Sequence, residues 1–294
     1  MLSSKLIKQI RNIEIKAGRL VTDALAGEYI SAFRGVGMEF DKVREYEPGD
    51  DVRAIDWNVT ARVNVPYVKI FREERELTLM LLVDVSPSQA FGTTGKFKHE
   101  TTTELAAILA FLATKNNDKV GLILFSDHVE QFIPPKKGRS HVWRIIRQVL
   151  THRGKGTRTD MKGALDYFSR VCKRKSMCFL LSDFCAENYE KSMELVAHRH
   201  DLTCVDIKDA REQVLPASGL MTFQDSETGE SLIVDTSDPA FRKTFTKTVQ
   251  IEEKKRFDFF RRHKIDYFAV NTEDSVVPPL IRYMHLRERR LKLR

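Results

Sequence analysis

The chain has 294 residues, 42% hydrophobic and 31% charged, with a formal net charge of +8. That balance supports a packed core and argues against a disordered chain. No apolar run approaches the ~18–20 residues that span a bilayer, and the opening MLSSKLIKQIRNIEIKAGRL has no continuous apolar signal segment, so membrane insertion and secretion are disfavoured.

Leu6, Ile10, Ile13, Leu20 and Val21 are spaced as one face of a helix over 4–25, with Gly27 as its stop. A glycine-rich, charged stretch follows, with a turn at Pro48-Gly49-Asp50 and short strands around Tyr67–Phe71. Residues 1–76 therefore read as a helix plus a small β-rich region packed on the rest of the chain, with Phe40 and Trp57 buried. Asp50, Asp51, Arg53, Asp56, Trp57 and Arg62 read as a buried, ion-paired scaffold, with a docking surface as the alternative.

From residue 77 the pattern changes. LTLMLLVDVS is a continuous apolar run, as expected of a strand buried on both faces. HETTTELAAILAFLATKNN follows as a helix, KVGLILFSD as a second buried strand and VEQFIPP as its neighbour. SHVWRIIRQVL and TDMKGALDYFSRVCKR are helices, the latter capped by Thr159 or Asp160. SMCFLLSD is a strand, NYEKSMELVAHRH a helix and LTCVDIKD a strand. A hairpin is predicted near 219–236, turning at Glu227-Thr228-Gly229. A long helix, the strand KIDYFAVNT and a C-terminal helix beginning near Pro278 close the chain. Strands alternating with helices over 77–294 predict an α/β fold: a doubly wound, mostly parallel sheet. The cysteines Cys172, Cys178, Cys185 and Cys204 form no C-x-x-C pair and are expected to be reduced, mostly buried thiols of a cytoplasmic protein.

Ligands of such sheets bind beyond the carboxyl ends of the strands. Asp84-Val85-Ser86-Pro87-Ser88 follows the first buried strand, and Ser182-Asp183 ends the third. Gly156-Thr157-Arg158-Thr159-Asp160 precedes a helix. The alternate spacing of Asp84, Ser86 and Ser88 lets three oxygens converge as the chain leaves its strand. An oxygen-only set suits Mg²⁺ or Mn²⁺. Capping and turn chemistry at strand ends is the competing explanation of these residues.

The same residues carry a family resemblance. D-x-S-x-S at Asp84–Ser88, T-D-x-x-x-A-L at Thr159–Leu165 and L-L-S-D ending at Asp183 resemble the metal-ion-dependent adhesion site of von Willebrand factor A domains. R-G-V-G-M-E-F, V-R-E-Y-E-P-G-D-D-V-R-A-I-D-W-N-V-T-A-R and V-K-I-F-R-E-E-R-E-L resemble the bacterial domain of unknown function 58 family. The resemblance implies a von Willebrand factor A-like fold and a metal held by Asp84, Ser86, Ser88, Thr159 and Asp183. Thr157 rivals Thr159, but the spacing to Ala164-Leu165 favours Thr159. Where the family often has Met after the second serine, this chain has Gln89. The resemblance further implies work beside a MoxR-type AAA+ ATPase in protein assembly or maturation.

No G-x-S-x-G elbow and no G-x-x-x-x-G-K-[ST] phosphate loop is present, so no catalytic residue is assigned. Residues 136–175 carry thirteen Lys and Arg against only Asp160 and Asp166. The expected function is therefore a non-enzymatic, metal-dependent adaptor that binds a protein partner through the partner's Asp or Glu, with Lys155, Arg158 and Gln89 contributing. A metal-dependent phosphohydrolase or nuclease, or a basic nucleic-acid-binding protein, is the alternative.

Overall fold

The computed structural model describes residues 23–33, 38–73, 77–93 and 96–292, so the expected helix face of residues 4–21 lies outside the described residues. The central sheet is built from β3 (Thr78–Asp84), β4 (Lys119–Phe125), β5 (Val129–Lys136), β6 (Met177–Ser182), β7 (Asp201–Lys208) and β10 (Asp266–Asn271). The strand order is β10-β7-β6-β3-β4-β5, with only the β5 edge antiparallel. Counted within the sheet, this is the doubly wound order 3-2-1-4-5-6, whose direction of winding reverses between β3 and β6.

Both faces of the sheet are covered, which is why its strands read as unbroken apolar runs. Along β3, Leu79, Leu81 and Val83 face one cluster while Met80 and Leu82 face the other. The first cluster is closed by α1 (Asp23–Phe33), α3 (Lys98–Lys115), α4 (Arg139–Thr151) and α9 (Val277–Lys292). The second is closed by α5 (Met161–Val171), α6 (Glu190–Arg199) and α8 (Pro239–Arg262). A short α7 (Ala210–Gln213) leaves β7, and β8 (Leu220–Gln224) pairs with β9 (Ser231–Asp235) as the expected hairpin.

Two expectations about the N-terminal region are corrected. Helix α1 does not stop at Gly27 but runs through it to Phe33. Burial of Tyr29, Ala32 and Phe33 against the sheet and α9 overrides the local breaker signal. The second correction concerns Trp57, which is 66% exposed. It heads α2 (Trp57–Val63), a short helix beside the antiparallel ribbon of β1 (Met38–Glu45) and β2 (Tyr67–Glu73). Asp56 caps α2 by accepting from the Asn58 and Val59 amides, and Arg44 and Asp50 form a two-pronged ion pair. These charges organise the ribbon locally, but Arg53 and Arg62 are exposed, so the expected buried scaffold is a surface one. The Phe40 side chain lies outside the described residues. Among the described residues no helix is long and apolar enough to cross a membrane.

Candidate metal centre

The carboxyl ends of β3 and β6 meet at the point where the sheet's winding reverses, where open α/β sheets form their ligand crevice. Asp84 ends β3 and is 1% exposed. Its Oδ1 accepts from the Ser86 amide at 2.9 Å, which turns the chain off the strand. Its Oδ2 accepts from the Ser182 hydroxyl of β6 at 2.6 Å, tying the two strand ends together. The Ser86 and Ser88 hydroxyls lie 3.0 Å apart at the start of a 3-10 turn over Pro87–Ala90. Asp183, the residue after β6, is buried beside them. Asp84, Ser86, Ser88 and Asp183 therefore converge.

Thr159 stands at the same edge on a loop that crosses in front of β3 and β4. Two glycines allow this approach. A Cβ on Gly154 would lie 1.9 Å from the Val85 carbonyl oxygen, and one on Gly156 would lie 2.3 Å from Ser126 Oγ. Glu130 of β5 holds the loop from behind. It accepts from Ser126 Oγ at 2.5 Å, His152 Nε2 at 2.6 Å and the Lys155 and Gly156 amides at 2.9 and 3.4 Å. Asp127 takes the Thr157 amide at 3.1 Å, and the Asp160 amide donates to the Ser126 carbonyl at 2.6 Å. Asp160 caps α5 by accepting from the Gly163 amide, which leaves Thr159 with its hydroxyl outside the helix. That hydroxyl donates to Glu227 Oε1, at the tip of the hairpin, at 2.9 Å.

The electrostatics are those of a site short of positive charge. Burial, and then the charge of Asp183, push the Asp84 carboxyl up to about 7. Asp183 Oδ2 is 3.0 Å from the Lys98 ammonium, which is fully buried in the first turn of α3 and also meets Glu212 Oε1 at 2.5 Å. Burial disfavours the Lys98 charge, but Asp183 and Glu212 outweigh it and raise its pKa above the ordinary value. Lys98 thus serves Asp183 and Glu212, while Asp84 is held by hydroxyl and amide donors alone. The carboxylate and hydroxyl oxygens at the strand ends are of the donor type that Mg²⁺ and Mn²⁺ accept. Among the described residues no cluster of three or more His, Cys, Asp and Glu is placed to hold a metal. Any site here depends on its hydroxyls.

Gln89 and the basic run need correction. Gln89 is 2% exposed and faces a cavity of about 210 Å³ lined also by Asp84, Ser86, His99, Thr102 and His152. The 3-10 turn rolls it inward, so it cannot meet a protein partner as the molecule stands. The run 136–175 does not form one patch. Helices cross from one sheet edge to the other, so Lys136, which pairs with Val120, and Lys173–Lys175, which precede β6, lie at the amino ends of the parallel strands. Arg153, Lys155 and Arg158, all exposed, lie on the threonine loop at the site's edge.

The sequence profile of the family described as "Protein of unknown function DUF58" matches residues 42–255. The chain belongs to this family. One relative, the uncharacterised protein Rv1480 of Mycobacterium tuberculosis, is 29% identical over 289 residues, spanning 97% of this DUF58 chain and 90% of its own length. Among solved structures, the conserved hypothetical protein BatB from Bacteroides thetaiotaomicron is 14% identical, with a TM-score of 0.46 over 72% of this chain and 99% of its own. The SpRpn10 VWA domain is 11% identical, with a TM-score of 0.38 over 70% of this chain and 94% of its own. The architecture given above stands on the DUF58 chain's own strand order and its two helical layers.

Sequence reasoning missed Lys98, Glu130 and Glu227. Lys98 heads the polar first turns of its helix, and Glu130 lies beside Gln131 on an edge strand; both settings usually mark solvent-facing residues. Glu227 is masked by its place in a turn.

Proposed function

We propose that this protein is a binding module that holds a divalent cation through Asp84, Ser86, Ser88, Thr159 and Asp183 and uses it to capture an Asp or Glu of a partner protein. The observation that carries the reading is the pairing of two buried carboxylates with neutral hydroxyls at the sheet's reversal point. Such a donor set leaves the cation's charge incompletely neutralised, and when bound the metal supplies a Lewis-acidic position that an external carboxylate completes. The chain's own residues fix the geometry: Ser182 orients Asp84, Lys98 orients Asp183, and Glu130 with two glycines holds the threonine loop. Exposed Lys155 and Arg158 favour an acidic surface as it approaches. The family resemblance supports a MoxR-type AAA+ ATPase as the working partner, in protein assembly or maturation.

The test is affinity capture of a purified MoxR-type ATPase of the same organism by the wild-type chain and by Asp84→Ala, each with Mg²⁺ and with EDTA. Capture that needs both Mg²⁺ and Asp84 is expected. Capture indifferent to both refutes a metal-bridged contact. Mg²⁺-dependent hydrolysis of a phosphomonoester or phosphodiester, lost in Asp84→Ala, replaces the adaptor with a phosphohydrolase.

A further inference from the structure

The hairpin of β8 and β9 places a carboxylate on the threonine of the candidate metal centre. Thr159 Oγ1 donates to Glu227 Oε1 at 2.9 Å across 68 residues of sequence. The tip is shaped for this. Asp225 Oδ1 accepts from the Glu227 amide at 2.7 Å and the Thr228 amide at 3.2 Å, which fixes the backbone that bears Glu227. The base is fixed as well. Thr236 is fully buried, donates to the Gly219 carbonyl at 2.8 Å and accepts from the Ser218 amide at 3.1 Å. Arg242 of α8 donates to the Thr236 and Ser237 carbonyls. Between base and tip the hairpin exposes Leu220, Leu232 and Ile233. Within the turn, Asp225, Ser226, Thr228, Gly229 and Glu230 are exposed while Glu227 is half-buried. Of the three carboxylates in the turn, Asp225, Glu227 and Glu230, only Glu227 is drawn inward, and it meets Thr159.

We propose that Glu227 is the site's resident carboxylate, holding in cis the position that a partner's Asp or Glu takes in trans. This rests on the metal-binding reading above. A partner must therefore displace the hairpin tip, and the site discriminates against weak acidic surfaces because each competes with a tethered acid. A tethered group competes at an effective concentration in the millimolar range, so free carboxylates at lower concentration do not enter.

The experiment is Mn²⁺ binding to the full chain, read by the paramagnetic resonance of free Mn²⁺, with and without sodium acetate. Wild type, Glu227→Ala, Glu227→Gln and Asp84→Ala are compared, with melting curves to establish that each is folded. Wild type is expected to bind Mn²⁺ with no response to acetate. Glu227→Ala and Glu227→Gln are expected to bind about tenfold more weakly, at the low end of the loss seen when a supporting group of a metal site is removed, and to recover that loss in acetate. Glu227→Gln keeps a hydrogen-bond acceptor for Thr159, so recovery by acetate there assigns the effect to charge. Asp84-dependent Mn²⁺ binding that is the same in wild type and both Glu227 variants, with or without acetate, overturns the inference and leaves the metal site standing. No Mn²⁺ binding by wild type or by the Glu227 variants overturns the metal reading and the inference together.

Discussion

Replacing Lys98 by Met tests the charge arrangement at the switch point most directly. The side chain is fully buried, and its ammonium meets Asp183 at 3.0 Å and Glu212 at 2.5 Å. Met preserves most of the aliphatic volume, so the change is chiefly electrostatic. Without the ammonium, Asp183 and Glu212 lose their shared counter-ion, Asp183 in a buried setting beside Asp84. Removing one partner of a buried ion pair costs about 3–5 kcal/mol. At about 2–4 °C per kcal/mol for a large domain, the melting temperature falls by about 6–20 °C. The assay is differential scanning calorimetry at pH 7.5 in EDTA, repeated in excess Mg²⁺. Mg²⁺ should restore more stability to Lys98→Met than it adds to wild type, because the variant's cluster is the more negative; a ligand at 100 times its dissociation constant adds about 2.7 kcal/mol. The deficit should also shrink below pH 7, where Asp84, held up to about 7 by burial and the Asp183 charge, takes a proton. A variant melting within about 2 °C of wild type in EDTA, less than the shift expected for 1 kcal/mol, refutes the reasoning.

Asp84→Asn should retain the fold and lose all stabilisation by Mg²⁺. Because the folded carboxyl titrates above its unfolded value, its contribution is present near pH 4 and is lost as pH rises through about 7. In EDTA at pH 8 the variant should therefore be more stable than wild type, by at most about 4 kcal/mol, and lower stability counts against the burial of an unpaired charge. Glu130→Gln should loosen the threonine loop, raising amide exchange at Lys155–Thr157 while leaving exchange in β3 and β6 unchanged. Burial opposes ionisation of Glu130, but hydrogen bonds from Ser126, His152 and two backbone amides outweigh it and hold its pKa below the usual value. The wild-type loop should thus be protected at neutral pH and lose protection as pH falls through the acid range; protection that persists in Glu130→Gln refutes the anchoring role. Lys155→Glu and Arg158→Glu should slow association with an acidic partner more than they speed its dissociation, with added salt mimicking them; surface plasmon resonance showing the change only in dissociation rejects steering.

The sheet was legible because its strands are covered on both faces. LMLLV and MCFLL, at 79–83 and 177–181, contain no charged or hydroxyl residue to mark a solvent side, and a sheet with helices on each face accommodates both. Asp84, Ser86, Ser88 and Asp183 were legible because polar residues ending such strands fall at one edge by topology alone. Trp57 was not, since a large aromatic among charges carries no local sign of which way its helix faces. Gly27 misled for a related reason: its break signal is worth about 1 kcal/mol, less than burying Tyr29 and Phe33 returns. Lys98 could be recognised only once the first turn of α3 was known to lie behind the end of β6, and Glu227 only once the hairpin was known to fold back on the threonine loop. Both depend on contacts between elements far apart in sequence.

One arginine ties the two ends of the described chain to each other and to the sheet, beside the His285–Glu28 pair and the Phe33–Tyr283 contact. Arg287 of α9 donates to the Ala32 carbonyl of α1 at 2.7 Å, stacks over the Phe33 ring, and pairs with Asp201 and Asp266 at the starts of β7 and β10. Ala32 and Arg287 are 255 residues apart, so on the ribosome α1 is made long before its lock. At about 5–20 residues per second the interval is about 13–50 s, during which the apolar face of α1 has no α9 to cover it. A nascent chain of this protein must therefore shelter that face until α9 is made, and a truncation before Arg287 removes a principal tie between the two helices.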